Sequence, residues 1–318
     1  MPLISVIIAT HNRASWLPGA VESAKKAGTN VEVVVVDDAS TDETAQVCKS
    51  FKDVRVIRLE RNLYLGGARN TGIRASTGKY LAFLDDDDRR LPGSLDAQLE
   101  VLQANPDASF IYGPAFYGDT ERCEQTGAVI AAPHAGDIFW QLVNSNFIYV
   151  NTVLARRDCV EEVGLFDESL RGLEDWYMWT RLAERHQVLR SAEPVGIYRM
   201  PVRGSNQMSA DRLAMCRLSA LAQARMLQLP RAKSATRQRR RRIRKTFLNS
   251  LTKELASEAR LAFTQRRFRK ASEYVSTALQ LDAVGIVTPR NLMRISRRVF
   301  KLGGVVLNKQ HQPTIKPQ

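Results

Sequence analysis

"VEVVVVDDASTDETAQVCKSF", residues 31–51, holds the signals on which the fold turns. Its first seven residues form a nearly unbroken β-branched run, the composition of a strand buried on both faces rather than one with a wet side. The stretch then turns polar, and Ser40 with Glu43 three residues later has the spacing of a capping box that opens a helix over "TDETAQVCKSF". A buried strand feeding a helix is half of a right-handed βαβ unit, and such units build mostly parallel sheets.

The same unit recurs on either side. "ISVIIAT" (4–10), "VRVIRLE" (54–60) and "YLAFLD" (80–85) read as further strands, each followed by a helical stretch, so the front half is an α/β fold with a Rossmann-like sheet flanked by helices. Ligands in such sheets bind beyond the carboxyl ends of the strands. Here those ends are polar: "ATHNR", "DDAST", "NLYLGGARN" and "DDDD" follow the four strands in turn. Any one of these loops is ordinary turn and cap chemistry, but the four together converge on one crevice.

Four adjacent aspartates, Asp85 to Asp88, repel one another and require compensation. At an extended strand end Asp85 and Asp87 project to one side while Asp86 and Asp88 point elsewhere. Two hard carboxylates at that spacing suit Mg²⁺ or Mn²⁺, ions that share their coordination with phosphates and water. A metal diphosphate would offset the repulsion; the competing reading is an acidic, solvated loop.

Whole-chain properties narrow the class. With 318 residues and 44% hydrophobic composition the chain can bury a large core. Cys48, Cys123, Cys159 and Cys216 are far apart, which suggests neither zinc nor a disulfide framework and fits a reducing cytoplasm. No apolar run reaches the ~18 residues of a membrane span. The start lacks the basic region of a signal peptide. The net charge of +14 is split: residues 1–210 carry 22 Lys+Arg against 28 Asp+Glu, and residues 211–318 carry 25 against 5.

The segments "SVIIATHNRASWLPGAVESA", "VVVVDDASTDET", "NLYLGGARNTGIRASTGKYLAFLDDDDRRLP" and "GLFDESLRGLEDWYMWTRLA", in that order over roughly residues 3–200, resemble the family 2 glycosyltransferases of the GT-A fold. The resemblance implies transfer of a sugar from a nucleotide diphosphate donor, a UDP-sugar, with inversion at the anomeric carbon. Asp85-Asp86-Asp87 matches the family's DxD motif, which implies a metal on Asp85 and Asp87 and the donor ribose or sugar near Asp86. Asp38 matches the position that reads the base, and Thr10, Arg13, Arg69 and Asn70 match positions lining the nucleotide pocket. "EDWYMWTRL" is similar to the family's ED motif, which implies Asp175 as the general base that deprotonates the acceptor hydroxyl and Glu174 as its neighbour or an acceptor contact.

Three departures qualify the match. His11 stands where an aromatic Tyr commonly stacks on the base. After "GIYRM" (196–200) many members place a His on metal or diphosphate, whereas this chain offers Arg199 or Arg203. The Q-x-x-R-W motif of processive synthases is absent, which favours addition of single sugars to a glycan or lipid-linked acceptor in cell-envelope or extracellular polysaccharide synthesis. Of the acceptor half, "SFIYGPAFYGD" (109–119) reads as a strand, "GDIFWQLVNSNFIYVNTVLARRDCVEEVG" as helix, strand and helix, and Trp140, Tyr149, Trp176 and Trp179 as either sugar-stacking or core aromatics.

From about residue 208 the chain differs in kind, which divides it into a GT-A domain (1–207) and an α-helical basic region (208–318). Residues 211–229 have helical periodicity, 230–248 are a basic run, and 254–282 read as a helix pair, with a short helix near 290–302 and a polar end. Basic amphipathic helices suit an anionic membrane surface, which implies a cytoplasmic protein at the inner face of the plasma membrane. Nucleic-acid binding is the rival reading of the arginine run, but aromatic interleaving is missing. A nicotinamide-dependent oxidoreductase shares the sheet, but "ATHNRA" stands where G-x-G-x-x-G belongs.

Overall fold

The computed structural model describes residues 2–202 and 210–285. Alternation is strict through the front of the chain: β1 (Ile4–Thr10), α1 (Leu17–Lys26), β2 (Val31–Asp37), α2 (Thr44–Ser50), β3 (Arg55–Arg58), α3 (Tyr64–Ala75) and β4 (Tyr80–Asp85). Every residue of β1 is buried, as a strand covered on both faces requires. β1 pairs in parallel with β2, from Ile4↔Val31 to Thr10↔Asp37, and with β4, from Ile4↔Tyr80 to Ala9↔Asp85. This register brings Thr10, Asp37 and Asp85 to one carboxyl edge. β3 is shorter than the run at 54–60 suggests, because it lies at the sheet edge with three of its four residues exposed.

The chain continues through β5 (Arg89–Arg90), α4 (Ser94–Gln103), β6 (Ala108–Tyr112), β7 (Ala115–Gly118), β8 (Gln125–Ile130), α5 (Phe139–Asn144), a 3-10 turn at Val150–Thr152, β9 (Leu154–Arg156), α6 (Arg157–Glu162), α7 (Glu174–Arg185), β10 (Gln187–Arg190) and β11 (Gly196–Arg199). Among the described residues the main sheet runs β10-β6-β9-β4-β1-β2-β3, with β9 antiparallel between β4 and β6, so it is mixed. A second sheet runs β5-β11-β7-β8. The single strand expected over 109–119 is in fact β6 and β7, in different sheets. Pro114 has no N–H for a ladder, and the chain leaves the main sheet there. Helix, strand and helix form as α5, β9 and α6.

The capping box does not form. Ser40 is taken up by the loops between strands: its N–H donates to Asp37 Oδ1 at 2.9 Å and its Oγ accepts from the Asn12 N–H at 3.0 Å. Asp42 replaces it at the start of α2, accepting the Thr44 N–H at 2.9 Å. Helix α3 lies tight on the sheet at Gly72, where a Cβ would come within 2.5 Å of Ile7 Cγ2. Trp176 and Trp179 are core residues, 2% and 0% exposed. The Trp176 indole donates to the Leu142 carbonyl at 2.7 Å, and Trp179 packs on Phe83, Phe110 and Phe166.

Helices α8 (Arg212–Met226), α9 (Pro230–Ser234), α10 (Arg237–Thr264) and α11 (Phe268–Gly285) complete the described chain. Two compact units result: Met1–Asp211 with Leu221–Ser234, and Arg212–Ala220 with the described residues from Ala235 onward. In the second, the basic run from Arg237 onward and the first helix of the expected pair are one helix, whereas the start of the run, Pro230–Ser234, is α9 in the first unit. No glycine or proline interrupts residues 236–265, and the Thr236 Oγ caps the start by accepting the Arg239 N–H at 3.2 Å. Leu251, Leu255, Ala259 and Ala262 of α10 are buried, as are Ala271, Tyr274 and Ala278 of α11, so small residues let the helices approach closely. Among the described residues no helix is long and apolar enough to cross a membrane. The helix expected at 290–302, the polar end and Arg203 lie outside the described residues.

Candidate active site

The aspartates do not continue the strand. β4 ends at Asp85 and the chain turns, with the Asp88 N–H donating to the Asp85 carbonyl at 3.1 Å, so alternation of sides along an extended end does not apply. Three arginines meet the cluster instead. Arg69 donates to Asp85 Oδ1 at 2.7 Å, Arg13 lies 4.0 Å from Asp86, and Arg199 reaches Asp87 Oδ2 at 2.5 Å while its backbone N–H donates to Asp88 Oδ1 at 2.9 Å. Internal cations therefore balance much of the repulsion. What remains is visible in the carboxyl groups: burial, then the neighbouring Asp87 charge, pushes Asp86 up to about 8, and the same two causes raise Asp88 well above the usual carboxylate range.

Arg69 is the centre of the site. Its side chain is 3% exposed; one guanidinium nitrogen holds Asp85 and another holds Glu174 Oε1 at the first residue of α7. Burial works against its charge, but Asp85, then Glu174 and Asp175, outweigh that and hold it firmly protonated. Its guanidinium also lies over the Phe166 ring, 5.6 Å from the centroid. Burial raises Glu174 to about 7 against the pull of Arg69, and Glu174 Oε2 has no hydrogen-bond partner. Asp175 is half-buried, with Oδ1 accepting the Trp176 N–H at 2.7 Å; its pKa is raised by burial and restrained by Arg69.

The other expected residues divide by role. Thr10 is buried at the end of β1, and Arg13 anchors the following loop, its N–H donating to Thr44 Oγ1 at 2.9 Å. Asp38 is buried and accepts the Leu63 N–H at 2.6 Å, which fixes the entry to α3; burial raises its pKa. His11 is exposed, and its Nδ1–H donates to the Asp38 carbonyl at 2.6 Å. Asn70 is occupied by the loop before α7: its amide donates to the Phe166 carbonyl at 3.0 Å and to Glu168 at 2.9 Å and accepts the Phe166 N–H at 2.9 Å. It braces that loop, which carries the chain into α7.

One contact has no signal in the sequence. Trp16, at the start of α1, lies under the Arg199 guanidinium, 4.0 Å from ring centroid to carbon, and holds it at Asp87 from a residue 183 positions away. Among the described residues no three His, Cys, Asp or Glu side chains come together as an all-protein metal cage. One or two aspartates completed by phosphate and water is an arrangement that Mg²⁺ or Mn²⁺ accepts.

The sheet with its antiparallel insertion, and the carboxylates at its edge, place the fold among GT-A glycosyltransferases. The crystal structure of Staphylococcus aureus TarS 1–349 in complex with UDP-GlcNAc matches over 91% of this chain and 93% of its own, with TM-score 0.52 and 17% identity. The mannosyltransferase PcManGT from Pyrobaculum calidifontis in complex with GDP-Man and Mn²⁺ matches over 88% and 87%, with TM-score 0.55 and 17% identity. The chain belongs to glycosyl transferase family 2, whose sequence profile matches residues 5–163. Succinoglycan biosynthesis protein ExoO of Rhizobium meliloti is 32% identical over 191 residues, 56% of this chain and 55% of that one. The Escherichia coli UDP-Glc:alpha-D-GlcNAc-diphosphoundecaprenol beta-1,3-glucosyltransferase WfaP is 36% identical over 106 residues, 32% and 42% of the two chains. An uncharacterized glycosyltransferase of Rickettsia felis is 31% identical over 193 residues, which are 58% of this chain and 31% of that protein. The matched region thus spans from 31% to 55% of the length of these relatives.

Proposed function

We propose that this chain transfers a single sugar, with inversion, from a nucleotide diphosphate sugar to an acceptor hydroxyl in cell-envelope or extracellular polysaccharide synthesis. The observation that supports this is Arg69, one buried cation that holds Asp85 and Glu174 together; in this reading Asp85 belongs to the donor side and Glu174 to the acceptor side. The kinship with ExoO and with WfaP, whose name specifies a UDP-Glc donor and a lipid-linked sugar acceptor, supports a UDP-sugar and a glycan or lipid-linked acceptor here. The catalytic domain would span 1–207, and the basic helical region from 208 would rest on the anionic inner face of the plasma membrane.

In this mechanism Asp175 takes the proton from the acceptor hydroxyl as its oxygen bonds to the anomeric carbon, on the face opposite the breaking bond to the diphosphate. Glu174, fixed by Arg69, holds the helix start that presents Asp175. Asp38 accepts a hydrogen bond from an N–H of the base, and His11, Thr10 and Arg13 line the nucleotide side. Asp86, between the two residues that would hold the ion, faces a ribose or sugar hydroxyl of the donor. A divalent ion on Asp85 and Asp87 would supply positive charge to the departing diphosphate.

Thermal shifts with a panel of nucleotide diphosphates, with and without Mn²⁺, test the donor side, because a ligand that binds only the folded chain raises its melting temperature. A metal-dependent rise with UDP is expected; no rise with any nucleotide overturns the reading. Asp87→Asn should lower the baseline melting temperature, since Arg199 loses a charged partner. It should also abolish the increment that Mn²⁺ adds to UDP. A full increment in that variant removes Asp87 from the metal site.

A further inference from the structure

The turn joining α10 to α11 carries an arrangement that sugar transfer does not use. Three residues, Gln265 to Arg267, connect the helices, with the Gln265, Arg266 and Arg267 N–H groups donating to the Leu261, Phe263 and Ala262 carbonyls, a close-fitting C-terminal cap. Phe263 and Phe268 face outward at 47% and 58% exposure and meet edge to face, with centroids 5.4 Å apart. Residues 260–270 hold Arg260, Arg266, Arg267, Arg269 and Lys270 and no carboxylate. Arg266 has φ 58, the left-handed conformation that favours glycine, yet the chain keeps a cation there.

We infer that this tip, the Phe263–Phe268 pair within its ring of cations, is the part of the helical region that enters an anionic lipid surface, with the rings reaching the acyl boundary and the cations at the phosphates. The assignment rests on the membrane reading above and makes it specific. Two exposed rings are costly in water and are the composition of an interfacial anchor; Arg269 is paired with Glu273 at 3.4 Å, and the remaining cations of the turn select the charge of that interface. The basic start of α10, Arg237 to Lys245, has no such exposed aromatic pair and would contribute screened attraction only.

Flotation of the full chain with phosphatidylcholine vesicles, with and without phosphatidylglycerol, provides the test. Binding should require phosphatidylglycerol, and Phe263→Ser with Phe268→Ser should weaken it by roughly tenfold per ring, because each buries comparable apolar area. A Phe268→Trp chain should shift its emission to the blue when anionic vesicles are added. Both side chains are exposed, so the variants should keep the wild-type melting temperature and donor hydrolysis. Unchanged binding in the double variant, with loss only when residues 237–245 are neutralised, overturns the tip and leaves the membrane reading standing. No binding to any vesicle, or preferential binding to RNA, overturns both, and neither result bears on sugar transfer.

Discussion

Asp175→Asn is expected to leave donor binding intact and to lower transfer by roughly 10²–10⁴, the range that follows loss of a positioned general base. The substituted amide keeps the shape of the side chain and an oxygen that can accept the Trp176 N–H, so the start of α7 should hold. The pH profile supplies a second readout. Asp175 must be ionised to act, and burial raises its pKa, so kcat/KM should be full above that raised value and fall as pH drops through it, at a higher pH than for a free aspartate. In the Asn chain this acid limb should disappear. Lost donor affinity with unchanged turnover per bound donor would assign Asp175 to the donor instead.

Arg69→Met should be the most destabilising single change in the site. Removing one partner of a buried ion pair costs about 3–5 kcal/mol, and here two carboxylates lose their cation together. Without it Asp85 and Glu174 would take up protons more readily in the folded chain than in the unfolded one, so the deficit should widen as pH rises above the ordinary carboxylate range. Urea midpoints near pH 5 and pH 8 would show this, and equal midpoints to wild type at both would remove Arg69 from the centre. Glu174 has its own signature in the intact chain. Its folded pKa of about 7 exceeds the unfolded value, so stability from this group is lost as pH rises from 4.5 through 7. Glu174→Gln should flatten that slope.

The strands buried on both faces were the most legible part of the chain: 4–10, 31–37 and 80–85 run as their composition indicates, because burial on both faces leaves nothing else for such runs to do. Polar strand ends gave the crevice for the same reason. Two of the wrong expectations concern polar groups with a choice of partner. Ser40 could cap α2 but is used by Asn12, and the aspartates could alternate along a strand but turn, since three arginines from α3, the β1 loop and β11 await them. Those pairings span 16 to 112 residues and have no local pattern. The undivided α10 was hidden by its own charge, since a run of arginines resembles a linker although each is a good helix former.

The close seat of α3 on β1 has a consequence for variation in the family. Gly72 follows Arg69 by less than one helical turn, and any larger residue must push the helix off Ile7. An error of a few tenths of an ångström in the packing of a residue that meets no sugar would arrive at the guanidinium as misaim. Tolerance to substitution around this crevice is therefore governed from beneath it, and a mutational scan confined to residues that face the ligands would overlook the position most able to detune them.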